Sequence, residues 1–379
     1  MRFIHISDLH LGKRFHETSL IEDQEDILKQ IIRVAESEGA ECVLIAGDVY
    51  DKSVPSAEAV QLFDGFLAEL AAKRLRVFVI SGNHDSPERI AFGGRIMNAS
   101  GIHLSPVYDG NVRAITLSDG YGELNVYMLP FVKPAHVRRY YAEEGIETYT
   151  DAVRVAVEKM GVDTSKRNIL ITHQFVTGAS RSESEETVGG TDNVDASVFA
   201  GFDYVALGHI HGAQNCGDTR IRYCGTPLKY SFSEASDEKS VTVLEIAEKT
   251  SPLSIKIVPL KPARDLCKIR GSFAELTAES YYAGKSFVND YVQITLTDED
   301  DVPNAMSRLQ IIYKNALELK YDNTRTRANT EILGADGAEI KTPLQLFAEF
   351  FVQQNNVEMS EEQAAYMQEL IEKIEEESV

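Results

Sequence analysis

Five short polar clusters contain residues that can bind metal ions and act on phosphate esters. They are Asp8-Leu9-His10, Gly47-Asp48, Gly82-Asn83-His84-Asp85, Thr172-His173-Gln174 and Gly208-His209-Ile210-His211. One histidine or aspartate of this kind is more often a hydrogen-bonded structural group than a ligand. Together, however, the clusters use five of the nine histidines in the chain, which favours a common site.

The candidate metal ligands in these clusters combine carboxylate, amide and imidazole groups without a thiolate. They are Asp8, His10, Asp48, Asn83, His173, His209 and His211. Such a set suits Mn²⁺, Fe²⁺ or Zn²⁺ and contains too much nitrogen for a dedicated Ca²⁺ or Mg²⁺ site. Seven ligands exceed the need of one ion. They fit two ions about 3.5–4 Å apart that share a carboxylate, an arrangement that clamps the attacking and leaving oxygens in phosphoryl transfer.

The clusters follow apolar runs that predict β-strands. Strands are predicted at residues 2–7, 41–46, 75–80, 168–172 and 204–207, and helices at residues 22–38 and 56–73. This alternation predicts a largely parallel, layered α/β sheet, in which ligands bind beyond the carboxyl ends of the strands. Further strands at residues 123–129, 240–246 and 254–258 and a helix at 151–160 are expected, and the strands at 240–246 and 254–258 should complete a second sheet packed on the first. Residues 1–262 are predicted to form this domain, with a long polar loop at residues 177–193.

The composition changes near residue 262, where we predict a second, smaller unit. Residues 263–325 indicate an α+β cap with strands at 266–270, 291–296 and 316–320 and helices at 272–276 and 303–313. The cap contains no histidine, which favours a role in shaping the substrate site. A polar linker at 326–341 and a helical tail at 342–379 follow. The tail has apolar stripes and a capping box from Ser360 to Gln363. These features favour docking of the tail helices onto a partner helix, while packing of the helices on their own domain remains an alternative.

Composition limits the class of protein. The chain has 379 residues, 43% of them apolar, and four cysteines without a CxxC pair, which predicts reduced thiols. The N-terminus shows no signal peptide, and no apolar run could span a bilayer, so a cytoplasmic location without membrane contact is expected. A formal net charge of −21 is unusual for a protein that binds nucleic acid. Either the substrate is not a long polyanion, or the acidic residues lie away from a face that bound cations and a partner chain make positive.

The motifs DLH, GDVYD, GNHD, THQ and GHIH, in this order, resemble the signature of the calcineurin-like metallophosphoesterases. Residues 184–192, 195–197 and 223–235 are similar to the SbcD family, the nuclease subunits of bacterial SbcCD complexes, while the similarity of the last helices is looser. The resemblance implies a two-sheet metallophosphoesterase fold. It also implies that Asp8, His10, Asp48 and His211 hold one ion and Asp48, Asn83, His173 and His209 the other, with Asp48 bridging.

Two neighbours of Asn83 receive roles by the same resemblance. His84 is expected to face the scissile phosphate, and Asp85 to orient the site from behind the ligands, although a simple loop cap is an alternative for Asp85. Related archaeal and eukaryotic nucleases have a histidine where this chain has Asp51, which leaves His84 as the single catalytic candidate. Lys52-Ser53 replaces the Arg-Gly of protein phosphatases, which argues against a phosphomonoesterase. The remaining histidines, His5, His16, His103 and His136, are predicted to be structural.

The resemblance implies a Mn²⁺-dependent DNA nuclease that acts in DNA repair, replication and recombination. Its expected activities are a 3′→5′ exonuclease on duplex ends and an endonuclease on hairpins and single strands. The implied assembly is a dimer of this chain in a heterotetramer with an SbcC-type coiled-coil ATPase, placed on the nucleoid when bound to DNA. No P-loop occurs in the chain, so ATP hydrolysis would belong to the partner.

Lys13, Lys52 and Arg89 are candidates for contacts with the DNA backbone, although each could equally be a solvated surface charge. Two other functional classes stay open at this point. One is a small-molecule phosphodiesterase with the same site, and the other is a non-catalytic scaffold with the same fold.

Overall fold

The computed structural model describes residues 1–180, 193–324, 326, 343–355, 359–360, 363–368 and 370–371. The first strands are β1 (Arg2–Ile6), β2 (Arg14–Phe15), β3 (Thr18–Ser19), β4 (Cys42–Ala46), β5 (Arg76–Ile80), β6 (Ile102–Leu104), β7 (Ile115–Asp119) and β8 (Gly122–Leu129). They are followed by β9 (Arg167–His173), β10 (Tyr204–Gly208), β11 (Gln214–Cys216), β12 (Asp218–Tyr223), β13 (Ser240–Glu245), β14 (Ser254–Pro259), β15 (Leu266–Gly271), β16 (Tyr291–Leu296) and β17 (Ala316–Tyr321).

The helices lie mainly between these strands. They are α1 (Ile21–Ser37), α2 (Ala57–Ala72), α3 (Pro87–Ala91), α4 (Gly94–Met97), α5 (Pro134–Arg138), α6 (Tyr149–Lys159), α7 (Phe273–Leu276), α8 (Glu279–Tyr282), α9 (Ala305–Leu309) and α10 (Pro343–Asn355). The strands and long helices predicted in the first half of the chain are confirmed, with ends that differ by a residue or two. The cap helix predicted at 303–313 is too long, because α9 ends at Leu309.

Two six-stranded sheets form the centre of the protein. The first has the order β14-β13-β1-β4-β5-β6, in which β1, β4, β5 and β6 are parallel to one another. The second has the order β11-β12-β10-β9-β8-β7, in which β12, β10, β9 and β8 are parallel. The predicted layered α/β architecture is confirmed, and the parallel strands of each sheet end at the same edge.

Hydrophobic packing explains why the central strands are apolar on both faces. In β4, Val43 and Ile45 pack towards helices α1 and α2, whereas Leu44 and Ala46 pack between the two sheets. The second sheet is covered on its other face by α5 and α6. Strands buried on both sides lose the alternation of apolar and polar residues, which is why the sequence shows continuous apolar runs.

One prediction about the sheets is wrong. Strands β13 and β14 do not complete the second sheet as the sequence pattern predicts; they extend the first, where β13 pairs antiparallel with β1 through Phe3 and Leu244. The local sequence pattern identifies a strand, but the partner of that strand is determined by contacts between residues far apart in the chain.

The cap region has its own small sheet and core. Strands β15, β16 and β17 are parallel, and α7 and α9 contribute to a separate hydrophobic cluster with them. The cap contacts the layer that contains α1 through both apolar and polar groups. Leu266 and Tyr291 belong to the hydrophobic cluster that includes α1. The Tyr291 hydroxyl donates to Asp23 at 2.7 Å, and Arg264 binds the same carboxylate at 2.8 and 2.9 Å. Asp23 lies in α1, so the cap is attached to a helix that also covers the first sheet.

The tail includes α10 and a second helical segment. The predicted capping box is confirmed, because Ser360 Oγ accepts from the Gln363 N–H at 3.2 Å and Gln363 Oε1 accepts from the Ser360 N–H at 2.9 Å. On α10 the Phe350 ring is 55% exposed. Residues 181–192 and 327–342, which include most of the predicted loop and linker, lie outside the described residues. Among the helices that are described, none has the length and apolarity required to cross a bilayer.

Candidate metal centre

The predicted ligands meet at one edge of the two central sheets. They lie at or just beyond the ends of β1, β4, β5, β9 and β10, and in that order they are Asp8 and His10, Asp48, Asn83, His173, and His209 and His211. The topology therefore brings these residues together beyond the carboxyl ends of the parallel strands, as the sequence pattern predicts.

Four of these residues adopt backbone conformations that are uncommon for residues other than glycine. The φ angles are 53° at Asp8, 44° at His10, 47° at Asp48 and 104° at His209. Each such conformation costs about 1–3 kcal/mol and persists only where its surroundings hold it in place. Backbone hydrogen bonds of 3.0 Å from Asp8 to Gly47 and from His10 to Asp48 join the first two turns. Backbone strain is thus concentrated where the candidate ligands gather.

Two glycines allow the turns to approach one another closely. A Cβ atom at Gly82 would lie 2.1 Å from Asp48 Oδ1, and one at Gly208 would lie 1.9 Å from the Ala46 carbonyl oxygen and 2.7 Å from His173 Nδ1. Neither space can hold a methyl group. The absence of a side chain before Asn83 and before His209 is therefore a steric requirement of the site.

Three overlapping groups of side chains bring ligand atoms within 4.8 Å of one another. They are Asp8, His10 and His211; Asp8, Asp48 and His173; and His10, Asp48 and His84. Asp48 Oδ2 lies 3.4 Å from His173 Nε2 and 3.8 Å from His10 Nε2. Asp48 therefore lies between the two sides of the cluster.

Asn83 and His209 complete the cluster. Asn83 Oδ1 lies 3.0 Å from His173 Nε2 and 3.0 Å from His209 Nδ1. The His209 backbone N–H donates to the two Asp8 oxygens at 3.1 and 3.2 Å. All seven predicted ligands are consequently in one connected group of contacts.

Burial and mutual contact shift the pKa values of these groups in different directions. Burial raises the pKa of Asp8 to about 6, although His173 opposes the shift. Burial also acts to raise the pKa of Asp48, but His173 and its hydrogen bond hold that pKa well below its usual value. Burial acts to lower the pKa of His173, but the Asp48 carboxylate raises it to about 9. Carboxylates this deeply buried need a positive charge beside them, which a divalent cation supplies.

The available nitrogen atoms fit such a cation. His10 is 1% exposed, and neither of its ring nitrogens has a hydrogen-bond partner in the part of the chain that the structure describes. His173 Nδ1 lies 2.8 Å from the Ala46 carbonyl oxygen, so this nitrogen donates and Nε2 is left for a metal. The oxygen and imidazole donors, without a thiolate, form a candidate site for divalent metal ions.

His84 lies beside the cluster but is exposed. Its backbone N–H donates to Asp48 Oδ1 at 2.9 Å, and its ring Nδ1 lies 3.1 Å from the Asp51 carbonyl oxygen. A proton on Nδ1 would be held by that carbonyl, which leaves Nε2 for a group on the solvent side. The Asp51 carboxylate binds Lys13 Nζ at 2.7 Å instead.

Asp85 joins two of the ligand-bearing turns. Its carboxylate accepts backbone hydrogen bonds from Val49 at 3.1 Å, Tyr50 at 2.9 Å and Gly82 at 2.9 Å, and the residue is 1% exposed. Burial, reinforced by the charge of Asp48, raises the pKa of Asp85 to about 6. Its contacts go beyond the cap of a single loop.

Two buried residues that the sequence pattern does not predict, Glu234 and Lys239, contact His211. Glu234 Oε1 lies 3.4 Å from His211 Nδ1, and its Oε2 lies 2.6 Å from Lys239 Nζ. Lys239 also donates to the His211 carbonyl oxygen at 3.0 Å. Both side chains are buried, and this pair can fix the orientation of the His211 ring. Glu234 lies within residues 223–235, which carry the family resemblance, whereas Lys239 lies outside them and no pattern in the sequence marks it.

A second missed group supports His10. Gln24 in α1 donates to the His10 carbonyl oxygen at 2.7 Å and to the Tyr230 hydroxyl at 3.1 Å. Tyr230 donates in turn to the Leu9 carbonyl oxygen, and its ring centroid lies 5.5 Å from that of His10. Helix α1 thus holds the turn that presents His10.

The candidate DNA contacts have different surroundings. Lys13 is partly buried by its ion pair with Asp51, whereas Lys52 and Arg89 are exposed, and Arg89 donates to the Ser53 carbonyl oxygen. All of them lie on segments that follow the metal-binding turns.

The four other histidines belong to none of the candidate metal groups found among the described residues. His5, for example, is buried against the Tyr204 hydroxyl at 2.9 Å and the Leu207 carbonyl oxygen at 3.2 Å. Burial lowers the pKa of His5 to about 3, so it stays neutral. These contacts agree with the structural role predicted for His5.

Comparison with known proteins identifies the same family. The calcineurin-like phosphoesterase family matches residues 1–213, and a family described as type 5 capsule protein repressor C-terminal domain matches residues 262–355. A protein of Staphylococcus epidermidis, named as the SbcD component of the SbcCD nuclease, is 34% identical over 348 residues, covering 90% of this chain and 91% of that protein. A protein of the same name from Staphylococcus saprophyticus is 32% identical over 324 residues, covering 84% of each.

The structural alignment with a solved dimetal phosphatase from Danio rerio covers 68% of this chain and 96% of that protein, at 14% identity and a TM-score of 0.44. This likeness is too distant to carry an argument. Both resemblances in the sequence analysis, to the calcineurin-like phosphoesterases and to SbcD, are confirmed by the family match and the staphylococcal relatives.

Proposed function

Since this chain belongs to the calcineurin-like phosphoesterase family, we propose that it is a metal-dependent DNA nuclease that hydrolyses phosphodiester bonds. The convergence of the seven predicted metal-ligand side chains at one sheet edge supports the proposal. The relatives named as SbcCD nuclease components support DNA as the substrate. The proposed activities are those that the sequence resemblance implies: 3′→5′ exonuclease on duplex ends and endonuclease on hairpins and single strands, in DNA repair, replication and recombination.

The metal ions that we propose are two Mn²⁺ ions. Asp8, His10, Asp48 and His211 would hold one, and Asp48, Asn83, His173 and His209 the other. The position of Asp48 between His10 and His173 supports a bridging role. Ions in such a site polarise the phosphate and lower the pKa of bound water.

The catalytic side chain of the protein itself is proposed to be His84. Its exposed ring lies next to His10, with 5.0 Å between the centroids, and the Asp51 carbonyl group fixes one ring nitrogen. The other nitrogen can donate to the phosphate or protonate the leaving 3′ oxygen. Asp85 and Glu234 support this chemistry indirectly, because they hold the turns and the ring that carry the ligands.

Substrate contacts are proposed for the surface around this site. Lys13, Lys52 and Arg89 would contact DNA phosphates, and residues 263–325 would shape the path of the DNA. The domain division proposed here is 1–262 for the nuclease domain, 263–325 for the cap, 326–341 for the linker and 342–379 for the partner-binding tail.

The proposed partner is an SbcC-type ATPase with coiled coils, in a heterotetramer that contains two copies of this chain. Its place of action would be the nucleoid in the cytoplasm. The exposed Phe350 on α10 supports the tail as the docking element, because a partner helix would cover it.

Deletion of residues 342–379 tests the tail. We expect the truncated chain to lose binding to the ATPase in pull-down and size-exclusion experiments while Mn²⁺-dependent nuclease activity persists. Unchanged complex formation would refute a docking role. Loss of folded protein would indicate that the helices pack on their own chain.

One assay separates the proposed nuclease from the two other functional classes. Linear duplex DNA, hairpin DNA and bis-p-nitrophenyl phosphate are incubated with the protein and Mn²⁺, with EDTA as the control. We expect degradation of both DNAs. Rapid hydrolysis of the small diester with intact DNA would indicate a small-molecule phosphodiesterase, and the absence of any hydrolysis would indicate a scaffold.

A further inference from the structure

A cavity of about 540 Å³ lies beside the metal centre and outside the set of ligands. One wall is formed by residues 91–98, which follow the turn that carries His84, and the opposite wall by strands β6 to β8. Leu104, Met128 and Pro130 give it an apolar surface. Cavities of about 300–1,000 Å³ with apolar walls and a few polar groups are typical of small-molecule sites.

The cavity is continuous with the backbone of the metal centre. Pro130 lines it, and the ring of the next residue, Phe131, lies edge-on to His173 with 6.3 Å between the centroids. The Phe131 N–H donates to the Ser81 carbonyl oxygen at 3.0 Å, directly before Gly82. The wall of the cavity is therefore joined through Phe131 to the turn that carries Asn83.

Two arginines give the cavity a positive side. Arg95 and Arg113 both line it, and neither forms an ion pair or a side-chain hydrogen bond with any residue in the described ranges. The one carboxylate in its lining, Asp109, accepts a hydrogen bond from the Asn111 N–H at 3.1 Å within its own turn. In a chain with a net charge of −21, two cations without partners beside one cavity favour an anionic ligand.

Tyr108 contributes its ring to the cavity wall. The residue lines the cavity and is 8% exposed, but its hydroxyl oxygen is closed off from solvent, so a molecule in the cavity cannot reach it. The ring adds an apolar face against which a planar group can stack.

We propose that this cavity binds a mononucleotide unit, with its phosphate on Arg95 and Arg113 and its base against the apolar wall that includes the Tyr108 ring. The choice of a nucleotide among planar anions rests on the proposed function, because DNA hydrolysis at the neighbouring centre produces mononucleotides and new strand ends. A free mononucleotide and the terminal nucleotide of a strand share this chemistry.

Binding is measured by calorimetry with the full-length protein in EDTA, so that the metal ligands hold no ion that could bind phosphate. The probes are dAMP, deoxyadenosine, inorganic phosphate and a short single-stranded oligonucleotide. We expect dAMP to bind at least about tenfold more tightly than deoxyadenosine, because phosphate–arginine hydrogen bonds are charge-assisted. Binding of the oligonucleotide that is tighter than that of dAMP and is weakened by Arg113→Gln would identify the strand end as the occupant. Equal or weaker binding, or binding that Arg113→Gln leaves unchanged, would identify the free nucleotide, because the strand would then bind outside the cavity.

Matched variants locate the binding. Arg95→Gln and Arg113→Gln are each expected to weaken dAMP binding by about tenfold. Tyr108→Phe keeps the ring and should bind dAMP as the wild type does. Arg33→Gln, at an exposed arginine of α1, should bind dAMP as the wild type does. Circular dichroism confirms that each variant is folded.

The proposal is overturned if dAMP does not bind, if phosphate alone binds as tightly, or if the Arg95 and Arg113 variants bind dAMP normally. A separate Mn²⁺ nuclease assay distinguishes its failure from that of the proposed function. Nuclease activity without nucleotide binding refutes only the proposal that the cavity binds a nucleotide. Nucleotide binding without nuclease activity refutes only the proposed nuclease function.

Discussion

Replacement of Asp85 by asparagine tests how the ligand-bearing turns are held together. Asp85 Oδ2 accepts from Val49 and Gly82, and Oδ1 accepts from Tyr50. Asparagine has the same shape but only one oxygen. In its best orientation the asparagine oxygen keeps the bonds from Val49 and Gly82, and the NH₂ group faces the Tyr50 N–H. The bond from Tyr50 is then lost, and the other two are made to a neutral oxygen in place of a charged one.

The expected loss of stability follows from these contacts. A hydrogen bond to a charged group contributes about 1.5–3 kcal/mol and a neutral one about 1 kcal/mol. One lost bond and two weakened ones cost about 4 kcal/mol. The burial and the Asp48 charge that raise the pKa of Asp85 act against the carboxylate and not against the amide, so the net free energy of unfolding should fall by about 2 kcal/mol. Domains are stable by only about 5–15 kcal/mol, so the unfolding transition should move visibly.

Urea unfolding at pH 7.5 in EDTA measures this loss. Circular dichroism is the suitable signal, because the chain contains no tryptophan. The matched control is Asp163→Asn. Asp163 is an exposed carboxylate whose hydrogen bonds within the described part of the chain go to Ser165 in its own turn, so its replacement should cost less than about 1 kcal/mol. Mn²⁺ affinity of the Asp85 variant should fall about 10- to 100-fold. A stability loss below about 1 kcal/mol with unchanged Mn²⁺ affinity would refute the reasoning.

Two further predictions concern a buried carboxylate and an acid-sensitive ion pair. Glu234→Gln should weaken Mn²⁺ binding about tenfold, because the ring of His211 loses a charged partner, and a calorimetric titration that matches the wild type would contradict this. Arg167 holds the pKa of Asp119 well below its usual value, so the pair stabilises the fold above about pH 4 and this contribution is lost at lower pH. Asp119→Asn should therefore cost about 3 kcal/mol at pH 7 and progressively less below pH 4 in urea unfolding, whereas a constant difference would be evidence against the pair.

The fold class could be predicted because the central strands are buried on both faces. The run Cys42–Ala46 is apolar throughout, and every residue in it is buried. The partners of the edge strands could not be predicted in this way. Residues 240–246 indicate a strand from their own composition, but pairing with β1 depends on a contact between Phe3 and Leu244.

The candidate ligands could be predicted because metal binding restricts them to a few residue types at strand ends. The supporting groups could not, since their roles depend on proximity in space. Glu234 contacts His211 from 23 residues away, and the ring of His84 is oriented by a backbone carbonyl at Asp51, whose position no side-chain pattern reveals. The three backbone bonds of Asp85 likewise become visible only in the folded chain.

The most direct test of the central claim is the cleavage of linear duplex DNA with Mn²⁺ by the His84→Gln variant, with Mn²⁺ binding measured in the same preparation. His84 contributes no ligand in the proposed centre, so the variant should bind Mn²⁺ as tightly as the wild type. Its cleavage rate should fall by about 100-fold or more, the usual contribution of a general acid. Cleavage at the wild-type rate would contradict the proposed chemistry, and so would a wild-type chain that binds Mn²⁺ and leaves the DNA intact.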